Sequence, residues 1–325
     1  MSSTTLTPPV RTRSAASKQL VSTFLPFIGL LGLCLVLFVL TPKFLTGANL
    51  LNVGVQASTI AVLAFGMTFV IVAGGIDLSV GSVAALSGMV SAWVFTTAGL
   101  PGWLSLAGGL VTGLVAGAVS GAAVAHGRLP SFIATLAMLS VARGLTLVLS
   151  DGRPIATAPS VSALGGDVAG VPVPIIVLVV AGLVAALVLN RTVVGRSMYA
   201  VGGNEEAARL SGVPVRRVLV TVFALCGLYA GLAGMLLAGR LDSAQPQAAT
   251  GYELDAIAAV VIGGASLSGG VGRVSGTLVG ALILAVIRNG LNLLGVSSFW
   301  QQVVIGLVIA LAVGIDVLRR RSTRR

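Results

Sequence analysis

Few side chains in this chain could do chemistry: nine acidic residues and one histidine are spread over 325 residues. The adjacent Glu205 and Glu206 stand in a polar stretch, Asn190–Arg217 (NRTVVGRSMYAVGGNEEAARLSGVPVRR), which also carries five arginines. Asp77 stands between two apolar runs, and His126 closes another. Cys34 and Cys226 lie inside apolar runs and read as small buried hydrophobes. One histidine and two isolated cysteines do not make an ordinary metal site. A phosphate-cradling P-loop needs Gly-Lys before Ser or Thr. The only two lysines follow Ser17 (Lys18) and Pro42 (Lys43), so the motif is absent. Glycines at Gly269–Gly276 are spaced GxGxxxG without a surrounding parallel-sheet unit, which is not a dinucleotide fingerprint. The expectation is a chain without catalytic residues, metal or cofactor of its own.

These residues must be positioned by elements built almost wholly from apolar sequence. The chain is 56% hydrophobic and 9% charged, with a mean hydropathy of +1.05. Runs of about twenty apolar residues place it in a bilayer. Ten apolar segments can be drawn, at 21–40, 50–73, 79–97, 103–125, 130–149, 172–190, 218–238, 254–264, 273–288 and 299–317. The fold class is therefore an all-α polytopic membrane protein. The eighth and ninth segments fall short of a full crossing and read as broken or re-entrant. The first has no small-residue cleavage site after it and reads as a retained helix. The 43 glycines suit closely packed or interrupted membrane helices.

A net charge of +11 does not point to nucleic acid, because the basic residues cluster in the polar gaps and at the ends. With the N-terminus in the cytoplasm, fifteen basic residues fall inside and four outside (Lys43, Arg153, Arg240 and Arg288), Arg143 lying within a span. Positive charge is retained on the cytoplasmic side, so both termini and the 190–217 loop are expected there. The domain plan is a tail at 1–20, a transmembrane domain at 21–318 with a cytoplasmic loop at 191–217, and a basic tail at 319–325.

The loop carries helix punctuation. Gly202-Gly203 is expected to turn, Asn204 to cap a helix, and Glu205 and Glu206 to favour the positive end of its dipole. Gly212 fits the left-handed position after the helix, and Pro214 blocks its continuation. Ala207 and Leu210 share a face, with Arg209 directed elsewhere. So short a helix needs packing to persist, either on the lipid surface or against a partner.

An internal repeat matches Gly74–Gly81 (GGIDLSVG) to Gly263–Gly270 (GGASLSGG) as GGxxLSxG. Both copies follow an inward-running segment, which suggests two parallel repeats, segments one to five and six to ten. Asp77 has two readings. A carboxylate inside a span costs about 2.5–3.5 kcal/mol and normally faces a bundle interior or water, so in the first it lines a pathway together with Ser79 and Ser268. Alternatively it caps the third helix. Arg143, with Ser140 and Thr146 nearby, either snorkels to the outer interface or lines the same pathway. Only Phe299 and Trp300 lie near a plausible mouth, and no aromatic platform for a sugar is evident.

Glu206-Ala207-Ala208, followed after three residues by Gly212, resembles the EAA-x3-G loop of ATP-binding-cassette importer permeases. That family's further Ile-x-Leu-Pro is replaced here by Val222-Phe223-Ala224-Leu225. A closer resemblance covers most of the chain from Phe44. The runs at Gly74–Ser82, Ser131–Thr146, Ala200–Val215, Ser243–Arg273 and Asn289–Ser298 are similar to the ribose-type monosaccharide permease family. The resemblance implies a bacterial inner-membrane importer subunit working by alternating access on ribose or a related sugar. It implies a homodimer or a paired permease, a cytoplasmic ATPase subunit with two nucleotide-binding domains that holds ATP and magnesium, and an extracytoplasmic sugar-binding protein. Asn204, Glu205, Glu206, Ala207, Arg209, Leu210 and Gly212 would then couple to the ATPase. Arg153 and Arg240 are candidates for docking the binding protein. The rivals are a branched-chain amino-acid permease of similar plan and an ion-driven secondary transporter, for which Asp77 is the one clear intramembrane acid.

Overall fold

A computed structural model describes residues 13–323. Most of the expected N-terminal tail, with Arg11, lies outside the described residues, as do Arg324 and Arg325 of the basic C-terminal tail.

All ten apolar segments are helical. The helices are α1 (Arg13–Leu40), α2 (Gly47–Val72), α3 (Val80–Thr96), α4 (Gly102–Ala125), α5 (Ser131–Ser150), a four-residue α6 (Pro159–Ser162) and α7 (Val173–Arg191). They continue with α8 (Val193–Gly203), α9 (Glu205–Leu210), α10 (Val215–Leu241), α11 (Tyr252–Ile262), α12 (Val274–Leu293) and α13 (Ser298–Thr323). Two-residue strands form antiparallel pairs, β1 (Ile155–Ala156) with β4 (Ser243–Ala244), and β2 (Asp167–Val168) with β3 (Val171–Pro172). These ladders tie loops together and leave the all-α class unchanged.

Among the described residues, six helices are long and apolar enough to cross a membrane: α2, α4, α5, α7, α10 and α12. The apolar part of α1 (Pro26–Leu40), α3, and the apolar part of α13 (Ser298–Leu311) are shorter. The ninth segment was expected to be short, yet α12 runs 20 residues. Its polar residues Arg288 and Asn289 end the apolar run in the sequence but find partners in the fold. Asn289 and Asn49 on α2 exchange amide hydrogen bonds at 2.8 and 2.9 Å, and Arg288 pairs with Asp255 on α11. A satisfied polar group does not break a membrane helix. The eighth segment does remain short, as the 11-residue α11.

The core is built on α2, whose apolar window is 89% buried, against 22% for α5 and 28% for α7. Thr68 on α2 shares a 2.8 Å hydrogen bond with Thr277 on α12, and the Phe69 ring meets Tyr229 of α10 edge-on at 5.7 Å. Beside it α4 and α10 pack backbone to backbone. Gly109, Gly113 and Gly117 of α4 face Gly227 and Gly231 of α10, Gly121 lies against Val220 and Phe223, and a Cβ on Gly113, Gly117 or Gly227 would overlap a carbonyl of the other helix. Lipid tails are as apolar as Leu, so close backbone approach through small residues drives such pairing.

The two GGxxLSxG copies close the second and eighth apolar segments, six segments apart. They therefore do not occupy matching places in halves of five. In the fold the two copies nonetheless meet, Gly269 lying against Gly74.

Candidate functional site

The polar stretch holds two helices, not one. The Thr192 hydroxyl accepts from the Gly195 amide and starts α8, which runs on through Gly203. The expected turn at Gly202-Gly203 is thus corrected to the end of a helix. Its missing side chains serve a different purpose: a Cβ on Gly202 would overlap the Val72 carbonyl at the end of α2.

Asn204 ends α8 and caps α9, its side chain accepting from the Ala207 amide at 2.9 Å. Glu205 and Glu206 occupy the first turn as the dipole requires. The end is a Schellman motif: the Val213 amide donates to the Ala208 carbonyl and the Gly212 amide to that of Arg209. Gly212 has φ +82°, which an L side chain rarely adopts. Packing comes from Ala208, which is buried. Arg209 lies across Glu206 in an exposed ion pair at 2.6 Å, and that bond pushes its guanidinium pKa further up. Ala207 is exposed and Leu210 is 79% exposed.

The first copy of the motif ends α2 and starts α3. Asp77 is 1% exposed, and its Oδ1 accepts from the Ser79 amide at 2.8 Å and the Ser79 hydroxyl at 2.6 Å. The helix cap is Ser79 itself, with no side-chain capping bond. Asp77 therefore closes an Asx-type turn ahead of the helix, correcting the capping role expected for it. The break is fastened to α5. Ser131 Oγ accepts from the Ile76 amide at 3.2 Å and Thr135 Oγ1 from the Leu78 amide at 3.0 Å. These two residues were missed in the sequence, although their i, i+4 spacing on the first turn of a helix was visible.

The second copy ends α11 and leads to α12. Ser268 is exposed, and only Ala265 is buried between Gly264 and Gly270. The Gly270 amide donates to the Val72 carbonyl at 2.9 Å, and Tyr199 of α8 donates its hydroxyl to the Gly272 carbonyl at 2.7 Å. Burial pushes the Tyr199 phenol above its ordinary pKa, against the pull of Arg273, so it keeps the proton it donates. Tyr199 was also missed, because a tyrosine in a polar loop gives no local signal of a distant partner.

At the other end, Arg143 neither snorkels freely nor stands open. Its Nη1 donates to the carbonyls of Pro246 (2.8 Å) and Ala248 (3.1 Å), holding the 243–251 loop against α5. Glu253 and Asp255 begin α11, where the buried Asp255 forms an ion pair with the half-buried Arg288. Arg153 and Arg240 are both exposed and are carried near the β1–β4 ladder. Phe299 and Trp300 lie exposed on the first turn of α13. Among the described residues, no group of three or more His, Cys, Asp or Glu side chains is placed to hold a metal ion.

A family model described as "Branched-chain amino acid transport system / permease component" matches residues 49–313. The chain belongs to this permease family. It is 50% identical over 301 residues to the ribose import permease protein RbsC of Bacillus subtilis (strain 168), covering 91% of this chain and 92% of that protein. Identity to the RbsC protein of Escherichia coli (strain K12) is 49% over 295 residues, covering 89% and 92%. The L-arabinose transport system permease protein AraH of the same strain is 41% identical over 303 residues, covering 91% and 92%. No solved structure matches. The permease is thus a multi-pass inner-membrane transport protein of the ribose-type ABC importer group and not an enzyme. Membership of that group implies an ATPase and a binding protein as partners.

Proposed function

We propose that this permease moves ribose or a related monosaccharide into the cell, driven by ATP hydrolysis on a separate subunit with two nucleotide-binding domains. The observation that carries the reading is α9. It is a fully capped six-residue helix whose Ala208 face is packed while Ala207 and Leu210 stand exposed. A surface so small and so well braced suits insertion into a cleft of a soluble partner. Asn204, Glu205, Glu206, Arg209 and Gly212 keep its shape, and Leu210 is the contact. The RbsC and AraH relatives bear the names of pentose permeases, which favours a sugar over the amino acids named by the wider family.

In this reading both termini and the 191–217 loop are cytoplasmic, and the transmembrane domain spans 21–318 between the tails 1–20 and 319–325. About ten crossings or partial crossings are made when α1, α3, α11 and α13 are added to the six long helices. The two breaks are the trace of a same-sense repeat. They flank the inner end of the pathway, with Asp77 and Ser79 bracing it and Ser268 facing it. Arg143 sets the outer loop. The permease works as a pair, and Arg153 and Arg240 meet acidic groups of an external sugar-binding protein.

The test is uptake of labelled ribose by vesicles containing the permease with its ATPase and sugar-binding protein. ATP-dependent uptake in the wild type, lost in Leu210→Asp with the permease still inserted, is the expected result. Energised uptake with no ATPase present would overturn the reading in favour of an ion-driven transporter.

A further inference from the structure

The most unusual packing outside α9 is a junction of three backbone segments that are remote in sequence. The end of α2 presents the Val72 carbonyl and Gly74. The end of α8 presents Gly202 and Gly203. The second break presents Gly269 and Gly270. A Cβ on Gly202 would overlap the Val72 carbonyl, and one on Gly269 would fall against both Gly202 and Gly74. One on Gly270 would lie 3.0 Å from the Cα of Gly203. Two hydrogen bonds lock the contact: Gly270 amide to Val72 carbonyl at 2.9 Å, and Tyr199 hydroxyl to Gly272 carbonyl at 2.7 Å. Backbones in contact without intervening side chains have no rotamers to absorb a displacement, so movement of one segment is delivered to the others.

The same α8 is joined to α9 with no linker, because Asn204 is at once the last cap of α8 and the first cap of α9. The buried Met198 and Val201 seat α8 on the core, so it can tilt but not swing free. We infer that α8 is a transmission arm which delivers displacement of α9 to both membrane breaks together, with Tyr199 and Gly202 as its positioning residues. Tyr199 holds the second break to the arm, and the bare backbone at Gly202 holds the arm to the first. The inference rests on the proposed function and adds the route by which α9 acts.

The experiment uses the complete importer in proteoliposomes: permease, ATPase and sugar-binding protein, with radiolabelled D-ribose as probe. ATP hydrolysis stimulated by the loaded binding protein and ribose taken up are measured on the same samples. In Tyr199→Phe, hydrolysis is expected to stay within twofold of wild type, since α9 is untouched. Ribose moved per ATP should fall at least fivefold. Gly202→Ala should lower it further, and Ser197→Ala, whose hydroxyl bonds only within α8, should leave it unchanged. Tyr199→Phe tests the arm even where Gly202→Ala does not insert. Unchanged ribose per ATP in an inserted Tyr199→Phe permease would overturn the inference alone. So would parallel loss of hydrolysis and uptake, which marks a structural role. A wild-type importer that hydrolyses ATP without moving ribose would overturn the functional reading and the inference with it.

Discussion

The two GGxxLSxG segments share a sequence pattern and a helix-ending geometry, yet they differ in nearly everything around them. Both follow a Schellman motif: Gly74 and Gly75 donate to Ile71 and Val70 in one, Gly264 and Ala265 to Val261 and Val260 in the other. The glycine that takes the left-handed turn is the first of the pair at Gly74 (φ +85°) and the second at Gly264 (φ +90°). The backbone repeat is thus one residue out of register with the sequence repeat. In the first segment Asp77, Ser79, Val80 and Ser82 are buried, and α3 begins at once. In the second, Gly269 and Gly270 both take positive φ, Ser268 is exposed, and α12 waits until Val274. The first break is braced by an internal carboxylate and by α5. The second is held chiefly through α2 and α8, by the Gly270 amide on the Val72 carbonyl and the Tyr199 hydroxyl on the Gly272 carbonyl. A shared motif fixes how the helix stops, and the neighbours fix what can then move.

The largest expected effect is chemical access. Ser268→Cys should react with a membrane-impermeant maleimide at least about a hundredfold faster than Ser79→Cys in inverted vesicles, because local opening limits a fully buried thiol. Equal rates would erase the contrast between the breaks. Next comes the carboxylate. Asp77→Ala strands the Ser79 amide and hydroxyl, costing about 1–3 kcal/mol for a buried donor left unpaired. Ribose uptake should drop at least fivefold, whereas Ser266→Ala at the corresponding place should stay within twofold. Similar losses in both would show that the second break is braced by its own side chain.

Thr135→Val leaves the Leu78 amide without its side-chain acceptor, and a smaller loss is expected, about 1–2 kcal/mol. Thermal unfolding in detergent should register it, and a wild-type melting curve would mean that α5 does not brace the break. The smallest difference should lie between Gly74→Ala and Gly264→Ala. Each forces an L residue into a left-handed conformation at about 1–2 kcal/mol. Matched losses would confirm that the two stops are equivalent, and a clear inequality would place the asymmetry in the caps themselves.

Much of this architecture was legible because it rests on short-range signals. Ten apolar runs became ten helices with ends close to where hydropathy changes, since a membrane helix must satisfy its own backbone within one segment. The caps of α9 were readable for the same reason, Asn204 and Gly212 each acting on amides within a few residues. What failed was whatever depended on a remote partner. The truncated ninth segment is a full helix because Arg288 and Asn289 meet Asp255 and Asn49. Gly202-Gly203 looked like a turn because its helical continuation is explained only by pressure against Val72 and Gly270. The bonds of Arg143 to the carbonyls of Pro246 and Ala248, more than a hundred residues away, had no trace in the sequence either.

The sequence by itself determined that this is a membrane permease, where its segments lie, and that a small capped helix interrupts them. These follow from hydropathy, helix capping and motif, all of which act over a few residues. Only the tertiary structure decided which copy of the repeat is buried, that the two copies meet, and that α8 lies against both. Contacts among residues 72, 202 and 270 join segments far apart in the chain. No local pattern encodes them, because glycine shows in sequence that space is needed but not which backbone will fill it.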